Sequence, residues 1–207
     1  MKDSKVEIKI AVLDYDGTLV DSNRLKYEAY FRIFPETPES HTVIKKILDE
    51  IYELSRYTII ETILGRLEGL RPGPEMERKV AEKAAAYNRL VMEIAINCPE
   101  VPGARDALEL LRAKKIPVCL SSNTPEKYLP EIIAGRGWQK YFTALYGYPR
   151  KKEETVKELL QRYRISPEEL VVVGDGNSDR QAAEDNQSHF IPATSHAFPL
   201  DQLRRLL

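Results

Sequence analysis

The chain has 207 residues, 43% hydrophobic and 30% charged, with a formal net charge of −1, enough for one full core and a smaller second unit. The charge balance lacks the basic excess of a nucleic-acid-binding protein, and no apolar run reaches the ~20 residues that span a bilayer. The first residues, Met1 to Lys5, carry no apolar leader, and Cys98 and Cys119 make neither a disulfide framework nor a zinc site, so the expectation is a cytoplasmic protein with no nucleic-acid or membrane partner.

In chain order, residues 8–13 form an apolar strand closed by Asp14-Tyr15-Asp16-Gly17-Thr18. The next stretch, residues 21–96, is helical in character. Leu25, Ala29 and Ile33 share a stripe, Val43, Ile47, Ile51 and Leu54 repeat at helical spacing, and Ile59, Ile60, Ile63, Leu64 and Leu67 do so again. Pro72-Gly73-Pro74 is a break, and residues 75–96 read as a long helix with an acidic start and a central Ala84-Ala85-Ala86. About four helices and no strand are expected here. Ser55-Arg56-Tyr57 interrupts the pattern and reads as a loop.

Beyond Cys98-Pro99 strands and helices alternate. A helix over 104–114 precedes a strand over 116–120, a helical stretch over 125–135 and a short strand over 144–146. A helix over 153–164, a capped turn at 166–169, an all-apolar strand over 170–173, a helix containing 181–185 and an edge strand over 189–191 follow. Repeated strand–helix units with fully apolar strands predict an α/β fold: a Rossmann-like parallel sheet with helices on both faces. The helical segment is then a small all-helical cap inserted after the first strand. The expected division is a core domain of residues 1–20 and 97–207 and an insert of 21–96.

Four polar clusters follow predicted strands: Asp14 to Thr18, Ser121-Ser122-Asn123-Thr124, Arg150-Lys151-Lys152, and Gly174-Asp175-Gly176-Asn177-Ser178-Asp179. Parallel strands would bring all four to one edge of the sheet. Alternation along an extended chain puts Asp14 and Asp16 on the same side, and like charges that close drive their pKa values apart. Such a pair suits a site where one carboxylate attacks or binds a cation while the other carries a proton. Four carboxylates, Asp14, Asp16, Asp175 and Asp179, call for a cation among them, and oxygen-only donors favour Mg²⁺. The Ser122 hydroxyl and a lysine ammonium suit phosphate oxygens. Taken singly each cluster has a plainer reading: a solvated turn at Asp14 to Thr18, a cap-like Ser122, a basic turn at the lysines, a capping turn at Asp175 and Asp179, and loop formers at Asn177 and Ser178.

In this order the clusters resemble the four motifs of the haloacid dehalogenase-like hydrolase superfamily. Asp14-Tyr15-Asp16-Gly17-Thr18 matches its Asp-x-Asp-x-Thr, Ser122 its second-motif hydroxyl, and Gly174 to Asp179 its Gly-Asp-x-x-x-Asp. The helical insert resembles the family's cap of the first type. The resemblance implies that Asp14 is the nucleophile, forming an aspartyl-phosphate, and that Asp16 is the acid and then the base, its backbone carbonyl also ligating Mg²⁺. Asp14 and Asp175 would ligate the metal directly and Asp179 support it through water, while Ser122, with Asn123, and a third-motif lysine would hold the phosphoryl group. The third motif departs from the Lys-Pro of many relatives; here it is Arg150-Lys151-Lys152-Glu153, with Lys152 favoured, Lys151 second and Arg150 third. Relatives that are dehalogenases lack the second carboxylate, so Asp16 implies phosphate-ester chemistry. The expected activity is Mg²⁺-dependent hydrolysis of a small-molecule phosphate ester, with the chain resembling the phosphoglycolate phosphatase branch. A phosphomutase and a non-catalytic binding protein of the same fold are the alternatives. In the insert, Arg24, Lys26, Arg56 and Tyr57 are residues that could reach substrate.

Overall fold

The computed structural model describes residues 7–52 and 55–207; Leu54 and Met1 to Lys5, invoked above, lie outside them. Five strands, β1 (Ile10–Leu13), β2 (Val118–Pro125), β3 (Ala144–Tyr148), β4 (Leu170–Gly174) and β5 (His189–Pro192), form one parallel sheet in the order β3-β2-β1-β4-β5. Every residue of β1 and of β4 is buried, which is why these strands read as unbroken apolar runs rather than alternating ones. The register pairs Leu13 with Leu120 on one side and with Val173 on the other. The C-terminal ends of the three central strands therefore open on one edge.

Helices cover both faces: α5 (Ala104–Ala113), α6 (Leu129–Gly135), α7 (Lys152–Tyr163), α8 (Asn177–Asp185) and α9 (Leu200–Leu206). Ile10, Val12, Leu170 and Val172 pack with Val156 and Leu159 of α7 and Ala182 and Ala183 of α8 in one buried cluster. On α5, Ala104, Ala107, Leu108 and Leu111 are buried, the i, i+3, i+4, i+7 face of an amphipathic helix.

The chain divides into two compact units, one of residues 1–23 and 95–207 and one of residues 24–94. The second is built from α1 (Asn23–Arg32), α2 (Pro38–Ile51), α3 (Arg56–Glu68) and α4 (Pro74–Asn97), with no strand among its described residues. Its helices start where local chemistry dictates. Thr37 accepts the Ser40 N–H ahead of Pro38 in α2, and Ser55 accepts the Thr58 N–H in α3. Gly69, left-handed at φ 64°, ends α3. Ile44, Ile47, Leu48, Ile59, Ile60, Ile63 and Leu64 form this unit's core, with the Tyr30 and Tyr87 rings 4.3 Å apart.

The structure corrects the sequence-based boundaries at four places. β2 runs on to Pro125, because Ser121 and Ser122 still pair with Tyr146 and Gly147 of β3, so the second polar cluster lies within a strand. Ser55-Arg56-Tyr57 is the cap and first turn of α3, not a loop. Asn177 and Ser178 are the first turn of α8. The C-terminal α9, with Leu203 as its one buried residue, is too short to give a periodic signal. None of the described helices is long and apolar enough to cross a membrane.

Ile10 is fully buried in β1 and pairs with Leu170. Ile10→Ala should therefore cost about 2–5 kcal/mol, the range for deleting a buried aliphatic side chain. Urea unfolding should show a lower midpoint at unchanged m; an unchanged midpoint would contradict the two-sided burial of β1.

Candidate active site

The segment after β1 is a tight loop folded back on itself. The Asp14 N–H donates to Val173 O at 2.9 Å, continuing the ladder with β4, while the Tyr15 carbonyl accepts N–H bonds from Leu19 and Val20 at 2.9 and 3.1 Å. Gly17 sits at φ 75°, and a Cβ there would lie 2.0 Å from Asp175 Oδ2. Only glycine satisfies both the left-handed backbone and that approach. The same holds sterically at Gly174, where a Cβ would lie 2.1 Å from Asp179 Cγ.

These contacts bring four sequence-predicted residues together. Asp14, Asp175 and Asp179 each offer a carboxylate oxygen, all within 4.8 Å of one another. The Lys152 ammonium lies 2.9 Å from Asp14 Oδ1 and 2.8 Å from Asp179 Oδ1, and Lys152 is 5% exposed. It is the first residue of α7, where a cation opposes the helix dipole by about 0.3–1 kcal/mol; the two carboxylates hold it there. Asp179 lies in the first turn of α8 and also accepts the Gly176 N–H at 3.2 Å, so it caps the helix as well as pairing with the lysine. Asp175 is exposed and held by the Asn23 amide at 3.0 Å and, weakly, by the Thr18 hydroxyl at 3.4 Å.

The electrostatics are unbalanced. Burial pushes Asp14 up to about 8; the Lys152 attraction opposes this but does not reverse it, because repulsion from Asp179 and Asp16 adds to the effect of burial. Asp179 is raised as well, chiefly by burial. Burial also works against charge on Lys152, but Asp14 and Asp179 more than offset it and hold the ammonium above its ordinary range. Three carboxylates against one ammonium leave two negative charges uncompensated when all are ionised. A hard divalent cation fits both that charge and the oxygen-only donor set.

Asp16 lies outside this acidic group. Its Oδ1 accepts the Ser22 hydroxyl at 2.5 Å and its Oδ2 the Thr124 hydroxyl at 3.2 Å. Of the remaining predicted residues, Ser122 is 2% exposed and its Oγ accepts the Thr124 N–H at 3.1 Å, and Asn123 is exposed. Lys151 immediately precedes α7 without a side-chain cap bond, its side chain 70% exposed and 3.8 Å from Glu153. Arg150 stacks over Tyr146 and pairs with Glu158. The structure thus gathers Lys152, and not Lys151 or Arg150, with the carboxylates. In the helical unit Arg24 pairs with Glu28, Arg56 packs over Tyr87 and bonds Asn88, and Tyr57 is exposed.

Ser22 and Asn23 were not singled out by sequence, and Thr124 only as a member of the second polar cluster. Thr124 had a signal, because strand period 2 sets it beside Ser122. Ser22 and Asn23 read only as ordinary helix-start residues.

The sequence matches the haloacid dehalogenase-like hydrolase family over residues 8–186. It is 26% identical over 183 residues to the phosphorylated carbohydrates phosphatase of Thermotoga maritima, covering 86% of this chain and 81% of that protein. To the phosphoglycolate phosphatase of Pseudomonas putida it is 24% identical over 220 residues, covering 96% and 78%. A solved structure from Thermotoga maritima, provisionally assigned as a beta-phosphoglucomutase, superposes with a TM-score of 0.72 at 23% identity, over 97% of this chain and 100% of that one.

Removing one partner of a buried ionic cluster is strongly destabilising. Lys152→Ala should lower stability by about 3–5 kcal/mol, read by denaturant unfolding, while Lys151→Ala leaves the midpoint unchanged. Equal effects of the two substitutions would contradict the placement of the Lys152 ammonium between Asp14 and Asp179.

Proposed function

The chain belongs to the haloacid dehalogenase-like hydrolases as one of the family's phosphatases, and from that premise we propose that it is a Mg²⁺-dependent phosphomonoesterase acting on a small phosphorylated metabolite through an aspartyl-phosphate on Asp14. The observation that carries the reading is the contrast between its two loop carboxylates. Asp14 is buried among ionised groups, with one oxygen on the Lys152 ammonium, while Asp16 is held by two neutral hydroxyls.

In this reading the second oxygen of Asp14 attacks phosphorus and the bond to the leaving oxygen breaks, that oxygen taking the proton carried by Asp16. Asp16, now a carboxylate, then accepts a proton from the water that attacks the aspartyl-phosphate, and cleavage of the phosphorus–oxygen bond returns Asp14 and releases phosphate. The Lys152 ammonium and the Ser122 hydroxyl would donate to the phosphoryl oxygens; Ser122 Oγ accepts from Thr124 N–H, which leaves its own proton to give. Asp14, Asp175 and Asp179 would hold Mg²⁺, and when bound it supplies the positive charge that this cluster lacks and that developing phosphoryl charge requires. Ser22 and Thr124 would fix the Asp16 carboxyl in direction. The names of the relatives make phosphoglycolate and sugar phosphates the first substrates to test.

With Mg²⁺ present, p-nitrophenyl phosphate and a panel of small phosphate esters should be hydrolysed with release of inorganic phosphate, and Asp14→Asn should lower kcat by at least about a thousandfold. The variant should stay folded, because it removes a charge that burial opposes and Lys152 keeps Asp179. Full activity in Asp14→Asn would exclude the aspartyl-phosphate. Isomerisation of a sugar phosphate without phosphate release would instead identify a phosphomutase.

The raised Asp14 gives the cation effect a pH dependence of definite sign. In the metal-free protein Asp14 takes up a proton on folding between its ordinary 3.8 and about 8, so stability from this group falls as pH rises across that window. Cation binding must displace that proton, and affinity should weaken by up to tenfold per pH unit below about 8. At a Mg²⁺ concentration one hundred times the pH 8 dissociation constant, stabilisation should be about 2.7 kcal/mol. That corresponds to roughly 5–10 °C in Tm for a chain of this size, and most of it should vanish at pH 6. Equal shifts at both pH values would refute the raised Asp14, and no shift at either would refute the cation site.

A further inference from the structure

One half-buried polar cluster in the first unit plays no part in the chemistry above. The Arg136 Nε donates to Tyr15 Oη at 2.7 Å and to Ala95 O at 2.8 Å, and its Nη2 donates to Cys98 O at 2.5 Å and Cys98 Sγ at 3.1 Å. The Tyr15 hydroxyl donates in turn to Ala95 O at 2.5 Å. The guanidinium lies 5.1 Å from the Trp138 ring centroid and 6.0 Å from that of Tyr15. Arg105 also lies over Trp138, at 5.6 Å. Trp138 is fully buried, and its Nε1 has no hydrogen-bond partner among the described residues. Its contribution here is its face, which attracts cations.

Two tasks converge on Arg136. Ala95 and Cys98 lie at the end of α4, where the last carbonyls of a helix lack partners and a cation is favoured. This is the point where the chain re-enters the first unit. The other task concerns Tyr15, the residue between Asp14 and Asp16. Tyr15 is 0% exposed. Its backbone carbonyl receives the Leu19 and Val20 N–H groups that close the loop carrying Asp16. With ring, hydroxyl and carbonyl all held, Tyr15 cannot turn, and the direction of the following residue is set. Asp14 has its own anchors, the Val173 carbonyl on its N–H and Lys152 on its carboxylate. The Asp16 carboxyl is held by the Ser22 and Thr124 hydroxyls, but its backbone lies in the loop that the Tyr15 carbonyl closes, so loosening Tyr15 removes one of the supports of Asp16.

We propose that Arg136 and Tyr15 are positioning residues that act as one clamp, tying the loop between Asp14 and Asp16 to the Ala95–Cys98 carbonyls and thereby aiming the Asp16 carboxyl. This rests on the reading of Asp16 as the acid that protonates the leaving oxygen. A misplacement of about 1 Å costs a reacting group on the order of a hundredfold, and a general acid contributes about 10²–10⁴-fold only where the leaving group needs a proton. The clamp therefore has a kinetic signature that a structural role lacks.

The experiment compares p-nitrophenyl phosphate, whose leaving group departs without a proton, with the best alkyl phosphate of the substrate panel. The variants are Tyr15→Phe, which keeps the buried ring, Arg136→Met and the double variant, measured well below their Tm. Each single variant should lose about tenfold or more in kcat/KM, which reports the steps through expulsion of the leaving group and not the later hydrolysis that Asp16 also serves, on the alkyl phosphate but less than about threefold on p-nitrophenyl phosphate. The Mg²⁺ half-saturation should be unchanged. The double variant should be no worse than the poorer single, because one contact is removed twice. If Arg136→Met does not fold, Tyr15→Phe alone decides on the substrate split. Equal losses on both substrates, no loss, or additive losses overturn the clamp. A wild-type protein that hydrolyses neither substrate, or an active Asp14→Asn, overturns the phosphatase reading beneath it.

Discussion

The buried ammonium of Lys152 is the contact on which the site is arranged. It sits within 3 Å of Asp14 from the end of β1 and of Asp179 from the start of α8, and so ties both of these to a third element, α7. Without it, two carboxylates that burial already disfavours would face each other with no counter-charge. With it, the group is still short of positive charge when Asp14, Asp175 and Asp179 are all ionised. A cluster left two charges out of balance has little value as a stabilising core, since buried ion pairs at best offset their own desolvation. Retaining one is reasonable where the missing charge arrives with a ligand.

The sheet makes this affordable. β1 and β4 are apolar over every residue and pair in register up to Leu13 and Val173. Their stability comes from two-sided burial, and the polar residues begin one step past the last paired position. Gly17 and Gly174 then let the backbone approach Asp175 and Asp179 within distances no side chain would tolerate. Apolar strands thus carry the fold, while glycine-permitted turns at their C-terminal edge carry the charge.

That division explains what was legible in the sequence. The strands announced themselves as apolar runs, and the clusters at their ends as residues that folding alone does not require, so the parallel sheet and the Asp14, Asp175, Asp179 and Lys152 gathering could be anticipated. Ser22 and Asn23 could not, because their partners are set by a loop that doubles back, and a serine before a helix looks the same whether it caps the helix or binds a carboxylate. Arg136 was equally silent. Its neighbours, Tyr15, Ala95 and Cys98, are between 38 and 121 residues away, and no periodicity encodes contacts of that range. Ser55 to Tyr57 failed for the opposite reason: a local cap by Ser55 rescued a stretch whose apolar pattern had lapsed.

The two carboxylates of the loop differ because of what the rest of the chain sends to each. Charged partners reach Asp14, and its proton affinity is decided by burial and by competition between Lys152 and Asp179. Asp16 accepts hydroxyls, from Ser22 on its own loop and Thr124 on β2. A hydroxyl can donate to a carboxylate or accept from a carboxylic acid by rotating about one bond. An ammonium has only donors and favours the ionised form alone. Partners of the first kind suit a group that must gain and lose a proton within a cycle, and partners of the second kind suit one that must stay anionic. Residues two apart in sequence acquire these opposite settings across Tyr15, whose hydroxyl and carbonyl are both hydrogen-bonded.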